Sequence, residues 1–214
     1  MKRVMVSASV ILASVGLASG CATGSATTAQ TDLDALAQQT LRESFLPGPG
    51  QYLSRLNQDE AQKLCTQYRG QPPASVAESI QAKEKNHIAY PADGKLMGDW
   101  KEGAKVFNGG FAYRIGHFIP SNPKAVRGGN CYACHQGEAK EVAYGNLGPS
   151  LLHYGKLRGT SDAVVRYTYE KIYNAKAYNA CSQMPRLGHH GILSPKQVAD
   201  LTAYLLSPQS PINQ

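Results

Sequence analysis

The sequence of 214 residues lacks an internal hydrophobic run long enough to cross a bilayer, which takes about 20 consecutive apolar residues. Charged residues are also scarce, at 17% of the chain, and the basic ones do not cluster among aromatic side chains. The first absence excludes an internal transmembrane helix, and the second argues against a nucleic-acid partner. The apolar content of 42% is ordinary for a globular protein, so a hydrophobic core is expected.

The N-terminus carries the one hydrophobic run of the chain and has the pattern of an export signal. Lys2 and Arg3 form a short basic segment, residues 4–17 are mostly apolar, and small residues follow at 18–20. This order predicts a signal peptide over residues 1–20 and a mature protein in the periplasm. A membrane anchor is the alternative, but the run is short and breaks into small and polar residues. Loss of Lys2 and Arg3 lowers the formal net charge from +7 to +5.

The residue after this signal is Cys21, and it raises the question of a lipid anchor. The stretch from Leu17 to Cys21 resembles the lipobox of bacterial lipoproteins, in which the cysteine becomes the lipidated N-terminus. Ala18 stands where such motifs usually carry Leu. Several acyl chains on Cys21 would anchor the protein stably to a membrane, whereas a single chain would not. Ordinary cleavage nearby, with Cys21 removed or left as a free thiol, is the alternative.

Composition divides the rest of the chain into a tether, an extension and a second domain. Residues 21–31 are rich in Ala, Thr, Ser and Gln and predict a flexible tether. Residues 32–90 predict a helical N-terminal extension, and residues 91–214 a domain of their own. Apolar spacing predicts helices over residues 33–45, 99–107 and 161–173. Capping patterns predict three further helix starts, at Asn57 with Glu60, Ser75 with Glu78, and Ser194 with Gln197. Since no segment alternates like a strand, the predicted fold class is all-α.

The chemically informative motif is Cys131-Tyr132-Ala133-Cys134-His135, which has the C-x-x-C-H spacing of c-type haem attachment. On one short turn, two thiols can reach the two vinyl groups of a haem edge, and the adjacent His135 can ligate the iron. A thioredoxin-like redox pair is one alternative, but it normally lies within a βαβ pattern. Half of a zinc site is the other, and it needs a second ligand pair that the sequence lacks. The motif therefore predicts one covalently bound haem c, held by Cys131 and Cys134.

Around the motif, the second domain resembles class I cytochromes c. Met184 lies in a loop before the last helix, where this family carries its distal ligand, so the resemblance implies His135 and Met184 as axial ligands. It also implies that the Pro149 carbonyl orients the His135 ring. Gly103 and Phe107 resemble the residues with which the first helix of that fold packs across the last. Four histidines are alternative distal ligands: His117, His153, His189 and His190.

Two cysteines, Cys65 and Cys181, remain outside the motif and the signal region. An even pair in an oxidising compartment predicts a disulfide between them. Two separate buried thiols are one alternative, and a Cys181 thiol that reacts with a sulfur substrate is another.

A narrower resemblance involves four segments: residues 129–135, residues 145–151, Met184-Pro185-Arg186-Leu187-Gly188, and Gly191-Ile192-Leu193-Ser194. Together they resemble the SoxX family, the monohaem subunits of the SoxAX cytochromes of sulfur-oxidising bacteria. The resemblance implies a SoxA-like haem subunit as partner, and an L-cysteine S-thiosulfotransferase activity of the complex. Thiosulfate would be coupled to a cysteine of the SoxYZ carrier protein, with the electrons passed to an acceptor cytochrome. No catalytic residue stands out in this chain, which suits an electron-transfer subunit.

Other functions remain open for a chain of this kind. It could be a free-standing periplasmic electron carrier, or the haem subunit of another periplasmic oxidoreductase. A haem sensor or peroxidase with an open iron position is a further alternative, against which Met184 argues.

Overall fold

A computed structural model describes residues 25–45, 53–109 and 128–214, and within these ranges every regular element is helical. The prediction of an all-α fold is confirmed for these residues. None of these helices combines the length and the apolar content of a membrane span. The predicted signal peptide, Cys21 and His117 lie outside the described residues. The α-helices are α1 Ser25–Ser44, α2 Glu60–Gln67, α3 Ala74–Asn86, α4 Trp100–Asn108, α5 Tyr154–Arg158, α6 Asp162–Tyr173 and α7 Pro195–Leu206, and the 3-10 turns are Leu53–Leu56, Cys131–Ala133, Ala175–Ala177 and Pro211–Asn213.

The chain divides into two units, with the boundary between Ser44 and Phe45. In the first unit, α1 includes residues 25–31, which belong to the segment predicted to be a flexible tether; the tether stays a prediction. The segment contains Ala and Gln, which are good helix formers, and neither Gly nor Pro after Ser25. The second unit contains α2 to α7. The predicted domain boundary between residues 90 and 91 lies inside this unit and stays a prediction.

The main core of the second unit forms where α4 and α6 pack against α7. Gly103 lies at the crossing of α4 and α7, where an added Cβ would come within 2.0 Å of the Asp200 carbonyl oxygen. Next to this crossing, the rings of Phe107 and Tyr204 pack with their centroids 5.0 Å apart. Only glycine permits so close an approach of two backbones. The packing of the first helix of this domain across the last, expected through Gly103 and Phe107, is therefore present.

A smaller core joins α2 and α3, the helices of the N-terminal extension that belong to the second unit, to the rest of that unit. Its buried residues are Ala61 on α2, Ile80 on α3 and Ala180 in the loop after α6. The Cys65–Cys181 disulfide is present in the structure and packs against this cluster. In this state Cys181 has no free thiol for a substrate.

Two of the three predicted capping patterns are wrong. Helix α2 is capped by Asp59 and Gln62, not Asn57 and Glu60, because the backbone N–H of Asn57 donates to Ser54 in the preceding 3-10 turn. Helix α3 begins after Pro73, without a side-chain cap at Ser75, since the preceding Pro73 carbonyl already accepts the bond from Ala77. The third is confirmed: Ser194 and Gln197 form a capping box, with Pro195 opening α7.

Candidate functional site

The C-x-x-C-H motif folds as a single tight turn that lies next to the C-terminal end of α4. The turn is a 3-10 helix over Cys131–Ala133, in which the N–H groups of Cys134 and His135 both donate to the Cys131 carbonyl, at 3.0 and 2.9 Å. Gly129 joins the turn to α4 through a 2.8 Å bond to the Val106 carbonyl. The two motif cysteines are not bonded to each other. Both thiols and the imidazole therefore lie on one short turn that is anchored to the core.

The His135 ring is held on one side by hydrogen bonding and on another by close packing. Its Nδ1–H donates to the Pro149 carbonyl oxygen at 2.7 Å, which leaves Nε2 available to bind a metal. Gly148 packs so closely that an added Cβ would come within 2.2 Å of the His135 Cε1 atom. The Gly148 N–H in turn donates to the Cys134 carbonyl at 2.8 Å. The loop at residues 145–151 thus forms a support that selects one ring orientation.

This close packing leads to a prediction for Gly148→Ala. Because the added methyl group would overlap the ring, His135 must rotate or the loop must move, and the bond to Pro149 is weakened. We expect the reduction potential of the variant to shift and its thermal unfolding temperature to fall. A cost of roughly 1–3 kcal/mol is typical of such overpacking. Gly159→Ala is the control for the potential: nothing lies within 4 Å of its Cβ position, but its φ of 75° strains an alanine, so it should cost stability and leave the potential unchanged. Equal potentials for Gly148→Ala and wild type would contradict this role of Gly148.

The environment of Cys131 argues against the two alternatives to haem attachment. Burial, together with the neighbouring Cys134, raises the pKa of the Cys131 thiol to about 12. A thioredoxin-like pair needs a thiolate, and hence a lowered pKa, at its attacking cysteine. In the described parts of the chain, neither Cys131 nor Cys134 belongs to a group of three or more side chains placed to bind a metal ion. Among the described residues, both observations argue against thiol exchange and against a zinc site at this turn.

Met184 lies in the loop between α6 and α7 and is partly buried against the main core. Cys131, on its own turn, packs partly buried against the same core. The Met184 backbone N–H donates a hydrogen bond to the Ser182 hydroxyl oxygen at 3.2 Å. The loop is tied down on both sides of Met184: by the disulfide at Cys181, three residues before, and by Arg186, two residues after. The Met184 thioether thus lies on an anchored loop and packs against the same core as Cys131. This placement fits the role of a sixth ligand.

Three of the four alternative distal histidines lie in the described residues, and two of them lie beside Asp59, at the start of α2. His189 and His190 pack against each other, and together with Asp59 they form one polar group on the side of the extension. His153 has a left-handed backbone with φ of 57° and follows the motif loop. Its backbone N–H donates to Ile212 near the C-terminus, which ties this segment to the end of the chain.

Sequence reasoning missed a buried ionic cluster beside Met184. The Arg186 side chain is 3% exposed, and its guanidinium donates to Glu84 at 3.0 Å and also to Asp59. Burial alone would raise the pKa of Glu84, but hydrogen bonds from Asn174 and Arg186 outweigh it and lower that pKa. The pKa of Asp59 is likewise lowered, since the bonds from Arg186 and Gln62 outweigh its desolvation. No local pattern signals these pairs, because they join residues 102 and 127 positions apart.

The cluster predicts that acid destabilises the protein. Burial and the nearby Arg186 charge lower the pKa of His189, so folding favours its neutral form. The resulting contribution of His189 to the stability of the fold is complete above the unfolded pKa of histidine, about 6.5. It is lost as the pH falls from there through the lowered pKa of the folded state. The carboxylates of Asp59 and Glu84 have lowered pKa values and lose their contribution at still lower pH. We expect the unfolding temperature to drop from about pH 6.5 downward, by roughly 2–4 °C per kcal/mol lost.

Thermal unfolding measured across this pH range tests the expectation, with His189→Gln as the variant. Because the pKa of His190 is lowered in the same way, removing the His189 imidazole should reduce the upper part of the acid decline and leave the lower part, which belongs to the carboxylates. An unchanged slope in His189→Gln would show that other groups produce the decline.

Similarity to known proteins covers the motif region and most of the chain. Residues 121–209 match the family model described as cytochrome c. A protein of Aquifex aeolicus (strain VF5) described as an uncharacterized lipoprotein is 40% identical over 158 residues, which are 73% of each chain.

The fold and the site together define a helical protein built for covalent haem. The cradle of Gly148 and Pro149 around His135, with two unpaired thiols on the same turn, fits that group. The chain thus carries a cytochrome c domain over residues 121–209, and its cofactor is covalently bound haem c with a role in electron transfer.

Proposed function

We propose that Cys131 and Cys134 carry the haem through thioether bonds and that His135 and Met184 are its axial ligands. The observation that carries this proposal is the tight Cys131–Ala133 turn, with the adjacent His135 held by Pro149 at 2.7 Å. Haem held by these residues would supply one-electron redox chemistry at its iron. The Pro149 carbonyl increases the basicity of the His135 ring, and a methionine ligand raises the reduction potential.

The finer proposal is that this chain is the electron-transfer subunit of a SoxAX-type complex, an L-cysteine S-thiosulfotransferase. It is supported by the sequence around the two ligands, above all Met184-Pro185-Arg186-Leu187-Gly188 and Gly191-Ile192-Leu193-Ser194. In the proposed reaction, a carrier cysteine thiol of SoxYZ and thiosulfate form a sulfur–sulfur bond. One proton and two electrons leave, and the electrons pass one at a time through this chain to an acceptor cytochrome.

An exposed apolar surface beside the motif supports a protein partner on this side. Val142 and Leu147 are almost completely exposed, and Tyr144 is about half exposed, on the loop that follows the motif. The same loop is bonded to the motif through the Gly145 N–H and the Tyr132 carbonyl, at 2.9 Å. Exposed apolar patches of this kind mark interaction sites in soluble proteins. We propose that the SoxA-like subunit covers this surface.

Co-purification from the native periplasm, followed by a thiosulfate–SoxYZ coupling assay, tests the finer proposal. A SoxA-like haem protein should elute with the chain, and activity should require both. Val142→Glu should weaken the association by roughly tenfold or more, as a central apolar contact does. Leu157→Glu is the matched control, because Leu157 is also exposed but lies on α5, which packs against the C-terminal turn. A chain that elutes alone, reducible but inactive with thiosulfate, would indicate a free-standing electron carrier instead.

For location, we propose a periplasmic protein anchored by lipid at Cys21. The support is the lipobox-like stretch from Leu17 to Cys21 and the relative from Aquifex aeolicus, which is described as a lipoprotein. Growth with labelled palmitate should label the wild-type chain and leave Cys21→Ser unlabelled. Absence of label from the wild type would remove the anchor and leave an unattached periplasmic protein.

A further inference from the structure

The N-terminal extension contacts the Met184 loop at two separate places. Helix α2 is joined to this loop covalently, through the Cys65–Cys181 disulfide. Helix α3 contributes Ile80 to the small core that buries Ala180, next to the bonded cysteine. These contacts lie on the N-terminal side of Met184. They restrain the loop just before the residue proposed as the sixth ligand.

On the C-terminal side of Met184, the restraint is ionic. The guanidinium of Arg186 is almost completely buried and bridges Asp59, the cap of α2, to Glu84 on α3. Glu84 also receives a 2.7 Å bond from the Asn174 side-chain amide, so its carboxylate is engaged from two directions. Removing one partner of a buried ion pair leaves an uncompensated charge, which makes such a bridge hard to break locally.

Both restraints flank a short segment, with Cys181 three residues before Met184 and Arg186 two residues after it. Both restraints end on this pair of helices: the disulfide on α2, and Arg186 on Asp59 at the start of α2 and on Glu84 of α3. A methionine thioether is a neutral ligand, so its bond to iron depends on being held in position. Freeing either flank would allow the loop to move and would shift the equilibrium between bound and unbound thioether.

We infer that α2 and α3 form a clamp that positions Met184, with Arg186 and Glu84 as positioning residues and the disulfide as a second, covalent fastening. This assigns the extension a role in setting the sixth ligand, and it rests on the proposed function of Met184. The clamp would act on the iron only through the loop that carries Met184. Its loss should lower the reduction potential and open the iron to external ligands.

The test uses the holoprotein and the variant Glu84→Gln, which keeps the shape of the side chain and removes the charge that faces Arg186. The readouts are the near-infrared sulfur-to-iron band of the ferric protein, the reduction potential and carbon monoxide binding by the ferrous protein. We expect the band to weaken, the potential to fall and carbon monoxide binding to appear, with the bound-to-unbound ratio of Met184 reduced roughly tenfold. Haem content and far-ultraviolet circular dichroism should stay unchanged.

Glu60→Gln is the matched control. Glu60 also lies on the clamp and pairs with Lys83 across α2 and α3, but both side chains are more than half exposed. Breaking a surface pair of this kind has little effect on stability. We therefore expect Glu60→Gln to behave like the wild type in all three readouts.

The covalent fastening is tested independently, by reducing and alkylating Cys65 and Cys181 in the folded holoprotein and reoxidising the iron. This treatment avoids a variant that fails to fold, and we expect the same three changes. Retention of the band and of inertness to carbon monoxide in both the treated protein and Glu84→Gln would overturn the clamp. If the wild type itself lacks the band, or Met184→Ala keeps it, the axial ligand assignment fails instead.

Discussion

The variant Cys131→Ala/Cys134→Ala should contain no haem that survives denaturation. Both thioether bonds depend on these sulfur atoms, which lie on one turn and are not bonded to each other. His135 alone is a coordinate ligand and cannot hold haem once the chain unfolds. The measurement is haem staining after denaturing electrophoresis, together with extraction of haem by acidified organic solvent. We expect complete loss of the stain in the variant and full retention in the wild type.

The other described pair of cysteines provides the control. Cys65→Ala/Cys181→Ala removes the same number of sulfur atoms and abolishes the disulfide, yet it should keep the haem stain. Retention of the stain in Cys131→Ala/Cys134→Ala would show that the assignment of the attachment residues is wrong. Single variants should each keep one thioether and stain more weakly.

The second large effect is expected for Met184→Ala. Removing the thioether opens the sixth position, so the near-infrared band of the ferric protein should disappear and the ferrous protein should bind carbon monoxide. The reduction potential should fall by on the order of 0.1–0.3 V, within the range of about 0.8 V over which axial ligands act. Absorption spectra and a redox titration of the purified holoprotein measure these changes.

Met97→Ala is the control for this variant. Met97 is the other methionine beyond the predicted signal peptide, and it packs partly buried against the main core. Its replacement should cost stability and leave the band and the potential unchanged. Persistence of the band in Met184→Ala would exclude Met184 and point to another sulfur ligand, with Met97 the first to test. Absence of the band from the wild type would instead make His117 and His153 the first residues to test.

Local sequence was sufficient where the structure depends on neighbouring residues. Helix α7 begins where Ser194, Pro195 and Gln197 predict it, because a capping box uses only groups within one turn. The C-x-x-C-H spacing also fits a single turn, so attachment chemistry could be inferred from five residues. The start of α2 was misplaced by two residues, since two overlapping patterns compete there. Asn57 is engaged by the preceding turn, and Asp59 is free to cap α2 and to bind Arg186.

By itself, the sequence determined the helical class, the attachment turn and the pairing of Cys65 with Cys181, since composition, a short motif and a cysteine count carry that information. Tertiary structure alone decided what the extension contacts. Arg186 meets Glu84 and Asp59 across more than a hundred residues of chain, and a buried charge finds its partners through packing that no local pattern encodes. The close fit of Gly148 over the His135 ring was decided in the same way, because it depends on how a loop folds back over the motif.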